Sequence, residues 1–260
     1  MAVDEAILEA VGRGQVPPTL RLYAWQPACL SLGYAQPISD VSLPELAARG
    51  WDLVRRPTGG RAILHVDELT YAVIGPQDEL RLAGSVLESY QRLSLALLEA
   101  LRRLDIPAQA APQNPASPSD NPMPSGEQNP VCFETPSNYE IVVQGKKIIG
   151  SAQARRKDGV LQHGSLPLHG DLTRIIQVLA FSGQHERTQA AIRLSERAIT
   201  AEQILGRPLS WQTAAQAFIA AFQETLNLDL QAGDLAPEEQ ARAAQLVQEK
   251  YALSAWTGRV

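Results

Sequence analysis

The order in which hydrophobic periodicities succeed one another constrains this chain more than any other feature. After a short helical stretch at 4–11, period-two alternation dominates up to about residue 75 and returns from 139 to 162. Helical periodicity holds at 83–104 and again from about 171 onward. Strands and helices therefore come in blocks. A doubly wound sheet needs strict βαβ alternation, so the order predicts an α+β fold.

Strands are expected at 20–24, 29–33, 52–56, 62–65, 69–74, 139–143, 147–149 and 159–162. Gln144-Gly145-Lys146 reads as a tight turn between two of them. Ser42 and Glu45 stand at capping-box spacing around Pro44, which predicts a short helix stopped by Gly50. In the 83–104 helix, Val86, Tyr90, Leu93, Leu97, Leu101 and Leu104 share one face. Further helices are expected at 172–181, 187–201, 210–226 and 237–251. Between these blocks, residues 109–130 carry six prolines among Ser, Asn and Gln, with almost no apolar content. Such a segment buries too little surface to offset its ordering entropy, so a mobile loop is expected there. The expected organisation is one catalytic domain over 1–260, interrupted by that loop, with a helical C-terminal part from about 171.

With 260 residues and 45% hydrophobic content, the chain can bury a sizeable core. Its net charge of −5 gives no general attraction to nucleic acid or to an anionic membrane, so neither is an expected partner, though a local basic patch remains open. No apolar run approaches the ~20 residues that span a bilayer, and no signal peptide is visible, so a cytoplasmic location is expected. Two cysteines, Cys29 and Cys132, are too few for a disulfide scaffold or a four-cysteine zinc site. Four scattered histidines lack metal-site spacing, so neither metal nor cofactor is expected.

Three segments concentrate residues with chemical potential. Arg55-Arg56-Pro57-Thr58-Gly59-Gly60-Arg61-Ala62-Ile63-Leu64-His65 joins arginines to a glycine pair whose backbone can approach a ligand closely. A hairpin turn with solvated arginines accounts for it equally well. Lys147, with Gly150-Ser151-Ala152 behind it, can hold a substrate carbonyl or lower a thiol pKa, or it can be a solvated hairpin lysine. Cys132 follows the proline-rich stretch, as suits a nucleophile that must reach a macromolecule, whereas Cys29 sits in an apolar strand pattern as a core residue would. His65 and His163 are open between proton transfer, hydrogen bonding and burial in a core.

Taken together, the segments resemble one family, the lipoate/octanoate attachment enzymes related to biotin protein ligases. The resemblance rests on Arg55 to Ala62, then Gly145-x-Lys147-Ile148-x-Gly150-Ser151-Ala152, then His163-Gly164-Ser165-Leu166, in that order. Leu32-Gly33-Tyr34-x-Gln36 and the late Lys250-Tyr251 and Trp256-Thr257 also match. The resemblance implies a class II synthetase/biotin protein ligase-like catalytic domain, with a mixed sheet flanked by helices. ATP-dependent ligases of the family follow their histidine with Asp and a Gly-Asn stretch, whereas His65 here is followed by Val66-Asp67-Glu68. The context Val131-Cys132-Phe133-Glu134-x-Pro136-Ser137-x-Tyr139-Glu140 instead resembles the cysteine-dependent octanoyltransferases.

That resemblance implies Cys132 as the acyl-accepting nucleophile and Lys147 as its partner. It implies a substrate site from Arg55, Arg56, Thr58, Gly59, Gly60, Arg61, His65, Gly150, Ser151, Ala152, His163, Gly164 and Ser165, with backbone amides near Gly150 and Ser151 at the oxyanion. Octanoyl-acyl carrier protein would be the donor. Lipoyl-domain proteins, such as glycine cleavage H protein or 2-oxoacid dehydrogenase E2 subunits, would be acceptors. Arg55, Arg56, Arg61 and the Arg155-Arg156-Lys157 run are then candidates for a basic docking surface on an acidic chain; for the latter, a solvated charge run serves as well. An ATP-dependent ligase, an amidotransferase between lipoyl proteins and a catalytically silent lipoyl-binding module are the rival readings.

Overall fold

The computed structural model describes residues 1–111 and 140–260. Helix α1 (Ala2–Gly12) leads into strands β1 (Thr19–Tyr23) and β2 (Cys29–Leu32). Helix α2 (Leu43–Ala48) is followed by β3 (Asp52–Arg55), β4 (Ile63–His65) and β5 (Glu68–Gly75). Next come α3 (Val86–Arg103) and β6 (Gln109–Ala110), then β7 (Ile141–Val143), β8 (Lys146–Arg156) and β9 (Gly159–Pro167). A 3₁₀ helix (Leu172–Val178) precedes α4 (Gln184–Arg197), α5 (Ala201–Leu205), α6 (Trp211–Leu226) and α7 (Pro237–Leu246). A π-helical turn (Val247–Tyr251) and α8 (Ser254–Thr257) follow.

Strands form a six-stranded sheet in the order β1-β5-β9-β8-β7-β6 and a three-stranded sheet in the order β3-β2-β4. Every pairing in the large sheet is antiparallel. The mixed pairing lies in the small one, where β2 runs parallel to β3 and antiparallel to β4. Apolar residues of α3 and α6 cover one face of the large sheet, with Leu93, Leu97, Phe218 and Phe222 packed on Leu69 and Tyr71. Ile7, Leu8 and Val11 of α1 cover the other face over Ala72, Ile74 and Leu161. The small sheet buries Leu30, Leu32 and Ile63 against Ile175, Ile176 and Leu194. This is the expected α+β architecture, with sheets flanked by helices.

Local signals succeed where a cap or turn residue is decisive. Ser85 accepts from the Glu88 amide while the Glu88 carboxyl accepts from the Ser85 amide, a capping box that starts α3. Gln144 and Gly145, both at positive φ, make the two-residue turn between β7 and β8. Ser42 differs from expectation. Its side chain makes no cap bond, and the Glu45 carboxyl turns to Arg49 instead, at 2.5 Å. Two strands run well past their expected ends. β8 continues through Gly150-Ser151-Ala152 to Arg156 on the ladder it makes with β9, and β9 continues to Pro167 on the ladder it makes with β5. The stretch expected to be a loop begins with a short strand, since β6 pairs with β7; the rest of that expectation lies outside the described residues.

The register places Gly164 between Tyr71 and Ser151, whose hydroxyls meet at 2.7 Å. A Cβ on Gly164 would lie 2.6 Å from both the Gly150 carbonyl oxygen and Tyr71 Cε1. Gly164→Ala is therefore expected to cost about 1–3 kcal/mol by overpacking. At roughly 2–4 °C per kcal/mol, thermal unfolding followed by circular dichroism should show a drop of several degrees. An unchanged midpoint would mean that the β5–β9–β8 spacing tolerates a methyl group.

Candidate active site

Side chains alternate across a strand, so His163 and Ser165 of β9 share the face toward α1 while Gly164 points to the other. His163 lies between Ala72 and Ala152, and Ser165 between Thr70 and Gly150. Small neighbours on β8 leave space above these two residues. That space is a cleft of about 350 Å³, including its open mouth, walled by Tyr23, Trp25, Arg56 and His65 and floored by Gly150, Ser151, Ala152 and Gly164.

His65 is buried and stacks on Trp25, with ring centroids 4.3 Å apart. Its Nδ1 lies 2.6 Å from Glu68 Oε1 and its Nε2 lies 2.8 Å from Ser31 Oγ. One set of proton positions satisfies the whole network. Arg56 donates to Ser31 Oγ, Ser31 donates to His65 Nε2, and His65 Nδ1–H donates to Glu68. Thr70 and Ser165 donate to the same Glu68 oxygen, and Trp25 Nε1 donates to Thr70. Both ring nitrogens of His65 are thus engaged with protein. The residue builds the wall of the cleft.

His163 is placed differently. Its Nε2 lies 2.7 Å from Thr58 Oγ1, while its buried Nδ1 has no hydrogen-bond partner among the described residues. The nearest carboxyl oxygen, Asp4 Oδ2, stands 4.0 Å away, too far for a hydrogen bond. Asp4 is itself fully buried and accepts from Arg21 and Tyr23. Burial is the main cause that holds the His163 imidazole below its ordinary pKa.

The paired arginines correct the sequence-based expectation. Arg55 is completely buried and donates to the carbonyls of Gly33, Tyr34, Gln36 and Thr257. Arg56 is buried too and donates to the carbonyls of Ser31, Gly59 and Arg61. Neither belongs to an exposed docking surface; their donors are spent on folding the loop that carries Thr58 and the glycine pair. Arg155 is similarly committed, to Gln153, Ser89 and the Leu82 and Ser85 carbonyls. Of the expected basic surface, Arg61 and Arg156 are partly exposed and Lys157 is exposed.

Gly59 and Gly60 lie exposed at the loop tip, and Gly33 passes under it so closely that a Cβ there would stand 1.8 Å from the Gly60 carbonyl oxygen. Lys147 is buried on β8, three residues or about 10 Å along the strand from Gly150, with its Nζ 2.8 Å from Glu140 Oε1. Cys132 lies outside the described residues. Cys29 is a core residue of β2, and burial pushes its thiol up to about 12, so it is un-ionised and inert at neutral pH. Among the described residues no cluster of His, Cys, Asp and Glu has the makings of a metal site, and no helix is long and apolar enough to cross a membrane.

Sequence reasoning missed Ser31, Trp25, Glu68, Thr70 and Asp4. Glu68 had a readable signal, since it opens the apolar strand Leu69-Thr70-Tyr71-Ala72-Val73-Ile74, where a carboxyl must be buried with donors. Trp25 and Asp4 join the site only through the fold.

The sequence profile of the lipoyl protein ligase A/B catalytic domain matches residues 1–223. The octanoyltransferase LipM of Kyrpidia tusciae is 41% identical over 260 residues, covering 100% of this chain and 93% of that protein. LipM of Brevibacillus brevis is 40% identical over 260 residues, covering 100% and 94%. Among solved structures, a bi-partite lipoate protein ligase from Thermoplasma acidophilum has a TM-score of 0.78 at 26% identity, over 100% of this chain and 91% of that one. A lipoate-protein ligase A bound with ATP gives a TM-score of 0.78 at 26% identity, over 100% and 93%. The chain belongs to the lipoyl protein ligase A/B catalytic family, and within it to the octanoyltransferases.

The site generates two predictions. Glu68→Ala leaves three buried donors without their acceptor, which should cost about 1–3 kcal/mol and release the Trp25–His65 stack; chemical denaturation and Trp fluorescence report both. A wild-type-like unfolding curve would show that the Glu68 network is dispensable. For His163, the folded pKa is below the unfolded one, so the unfolded state binds more protons as pH falls through that interval. Stability is therefore full above the ordinary histidine value of about 6.5 and declines below it. His163→Gln should remove that part of the decline, read from urea unfolding at pH 5 and pH 7.5. An identical pH dependence in both proteins would contradict the assignment.

Proposed function

We propose that the chain moves an octanoyl group from octanoyl-acyl carrier protein to the ε-amine of a lysine on a lipoyl domain, through a thioester on Cys132. The observation that carries this reading is the full-length likeness to octanoyltransferases, joined to a preformed cleft with an aromatic wall and a floor of small residues. Cys132 as thiolate attacks the donor carbonyl and the carrier's thiolate departs, taking up a proton. The lysine amine then attacks the new thioester, an amide forms, the amine proton is released, and the Cys132 thiolate leaves. Thioester exchange is nearly isoenergetic and amide formation runs downhill, so no ATP is consumed.

Lys147 supports the thiolate and the polarised carbonyl in this scheme, sharing its charge with Glu140. Of the consecutive Gly150 and Ser151 amides, antiparallel pairing directs one into β9, so at most one of the two can serve an oxyanion. His163, which lines the cleft and whose Nδ1 has no partner among the described residues, is better suited to accept the amine proton than His65, which is held from both sides. The acyl chain lies against Trp25 and Tyr23.

Intact-mass spectrometry after mixing with octanoyl-acyl carrier protein, without ATP, tests the scheme. Wild type and Cys29→Ser should gain an octanoyl mass that hydroxylamine removes, and Cys132→Ser should gain none. A labile adduct on Cys132→Ser would sink the nucleophile assignment. Product formed only with ATP would make the chain a ligase, and transfer only from an octanoylated lipoyl protein would make it an amidotransferase. Each CH₂ removed from the donor should lower transfer about fourfold, as ~0.8 kcal/mol of burial implies.

A further inference from the structure

A second, larger space opens beside the acyl cleft. It measures about 950 Å³ including its open mouth, and is lined by Tyr34, Pro57, Gly59, Gly60, Gln153, Arg155, Arg156 and Trp256, with no carboxyl group among the described residues. The two spaces lie back to back across the same elements. On the loop after β3, Arg56 lines the inner cleft and Pro57 the outer; on β8, Ala152 lines the inner and Gln153 the outer.

Positive charge gathers around this outer cleft although the chain as a whole is acidic. Arg259 lies over the Tyr34 ring at 4.0 Å and near the Trp256 ring at 5.1 Å, and it has no carboxyl partner among the described residues. Lys250 lies 4.2 Å from the same Trp256 ring, though Glu5 takes up its charge. Arg156 reaches only 3.7 Å from Glu5 and stays 35% exposed. Trp256 is held in place by a hydrogen bond from its Nε1 to the Arg55 carbonyl. Lys250, Trp256 and Arg259 all lie beyond residue 223, where the family match ends.

We propose that this outer cleft is the docking site of the donor carrier, with Arg259 and Arg156 meeting its acidic face and the phosphodiester of its pantetheine arm. The inference rests on the octanoyl-transfer reading. Its logic is chemical: the arm is an anionic tether that carries a thioester at its far end. Cations at the mouth and a cleft across the glycine loop suit the two ends of such a ligand. Tyr34 and Trp256 hold Arg259 over their ring faces, so its charge is positioned before any partner arrives.

The test measures binding without transfer, using acyl carrier protein whose octanoyl group is joined to the arm as an amide. Binding by isothermal calorimetry should weaken with added salt. Arg259→Glu and Arg156→Glu should each raise Kd about tenfold or more, Arg259→Lys should recover most of the loss, and the thermal midpoint of Arg259→Glu should stay at the wild-type value. Carrier lacking its arm should bind more weakly than carrier with it. Wild-type affinity in both charge-reversal variants would overturn the proposal. So would a loss confined to ATP or to a lipoyl domain, which would assign the cleft to a nucleotide or to the acceptor. Failure of the octanoyl-transfer reading shows separately, as a missing mass adduct on protein that still binds the carrier.

Discussion

The organisation of the site depends on two adjacent guanidinium groups buried in the protein. Moving a cation out of water costs several kcal/mol unless its donors are satisfied, and an irregular loop likewise needs partners for its buried carbonyls. Arg55 and Arg56 settle both demands at once. From consecutive positions, Arg55 gathers carbonyls of the turn after β2 and of Thr257, while Arg56 gathers those of β2 and of the glycine loop. Segments about 200 residues apart in sequence are thereby held on one pair of side chains. Five rigid donors per arginine make this possible; lysine has three on a flexible stem and no fork.

On this frame the sheet contributes room and the helix contributes polarity. Alanine and glycine beside His163 and Ser165 leave a hollow where larger side chains would have closed the sheet surface. Asp4 of α1 enters from the opposite side, buried with Arg21 and Tyr23, and faces the imidazole across a gap. The network around Glu68 gives the far wall a single orientation, since each donor in it has one acceptor. A rigid wall opposite a partly unsatisfied histidine would suit the proposed transfer, in which the cleft first holds an acyl chain and then takes up a proton.

Much of this was legible in the chain. The α3 stripe, the Gln144-Gly145 turn and the block order of strands and helices are local signals that burial and caps produce directly. β8 and β9 were read too short because Gly150-Ser151-Ala152 and Gly164-Ser165 lack the bulky alternation that marks a strand. Their extended form comes from pairing across β5, β9 and β8, which no single segment encodes. The arginine-glycine segment stands out in the sequence, yet the sequence offers its arginines only to a ligand, a carrier or solvent. Their partners are backbone carbonyls, and carbonyls carry no residue identity. Asp4 and Trp25 were beyond reach for a related reason, since each meets the site only after the sheet has formed.

Cys29 carries a consequence for work on the protein itself. Its sulfur is sealed in β2, opposite His65, and its proton is held far above neutral pH. Thiol reagents attack thiolates, so in the folded state they bypass this residue altogether. Global unfolding lifts both barriers together. Labelling at Cys29, separated from that at Cys132 by peptide mass, therefore becomes a clock for the opening of the small sheet.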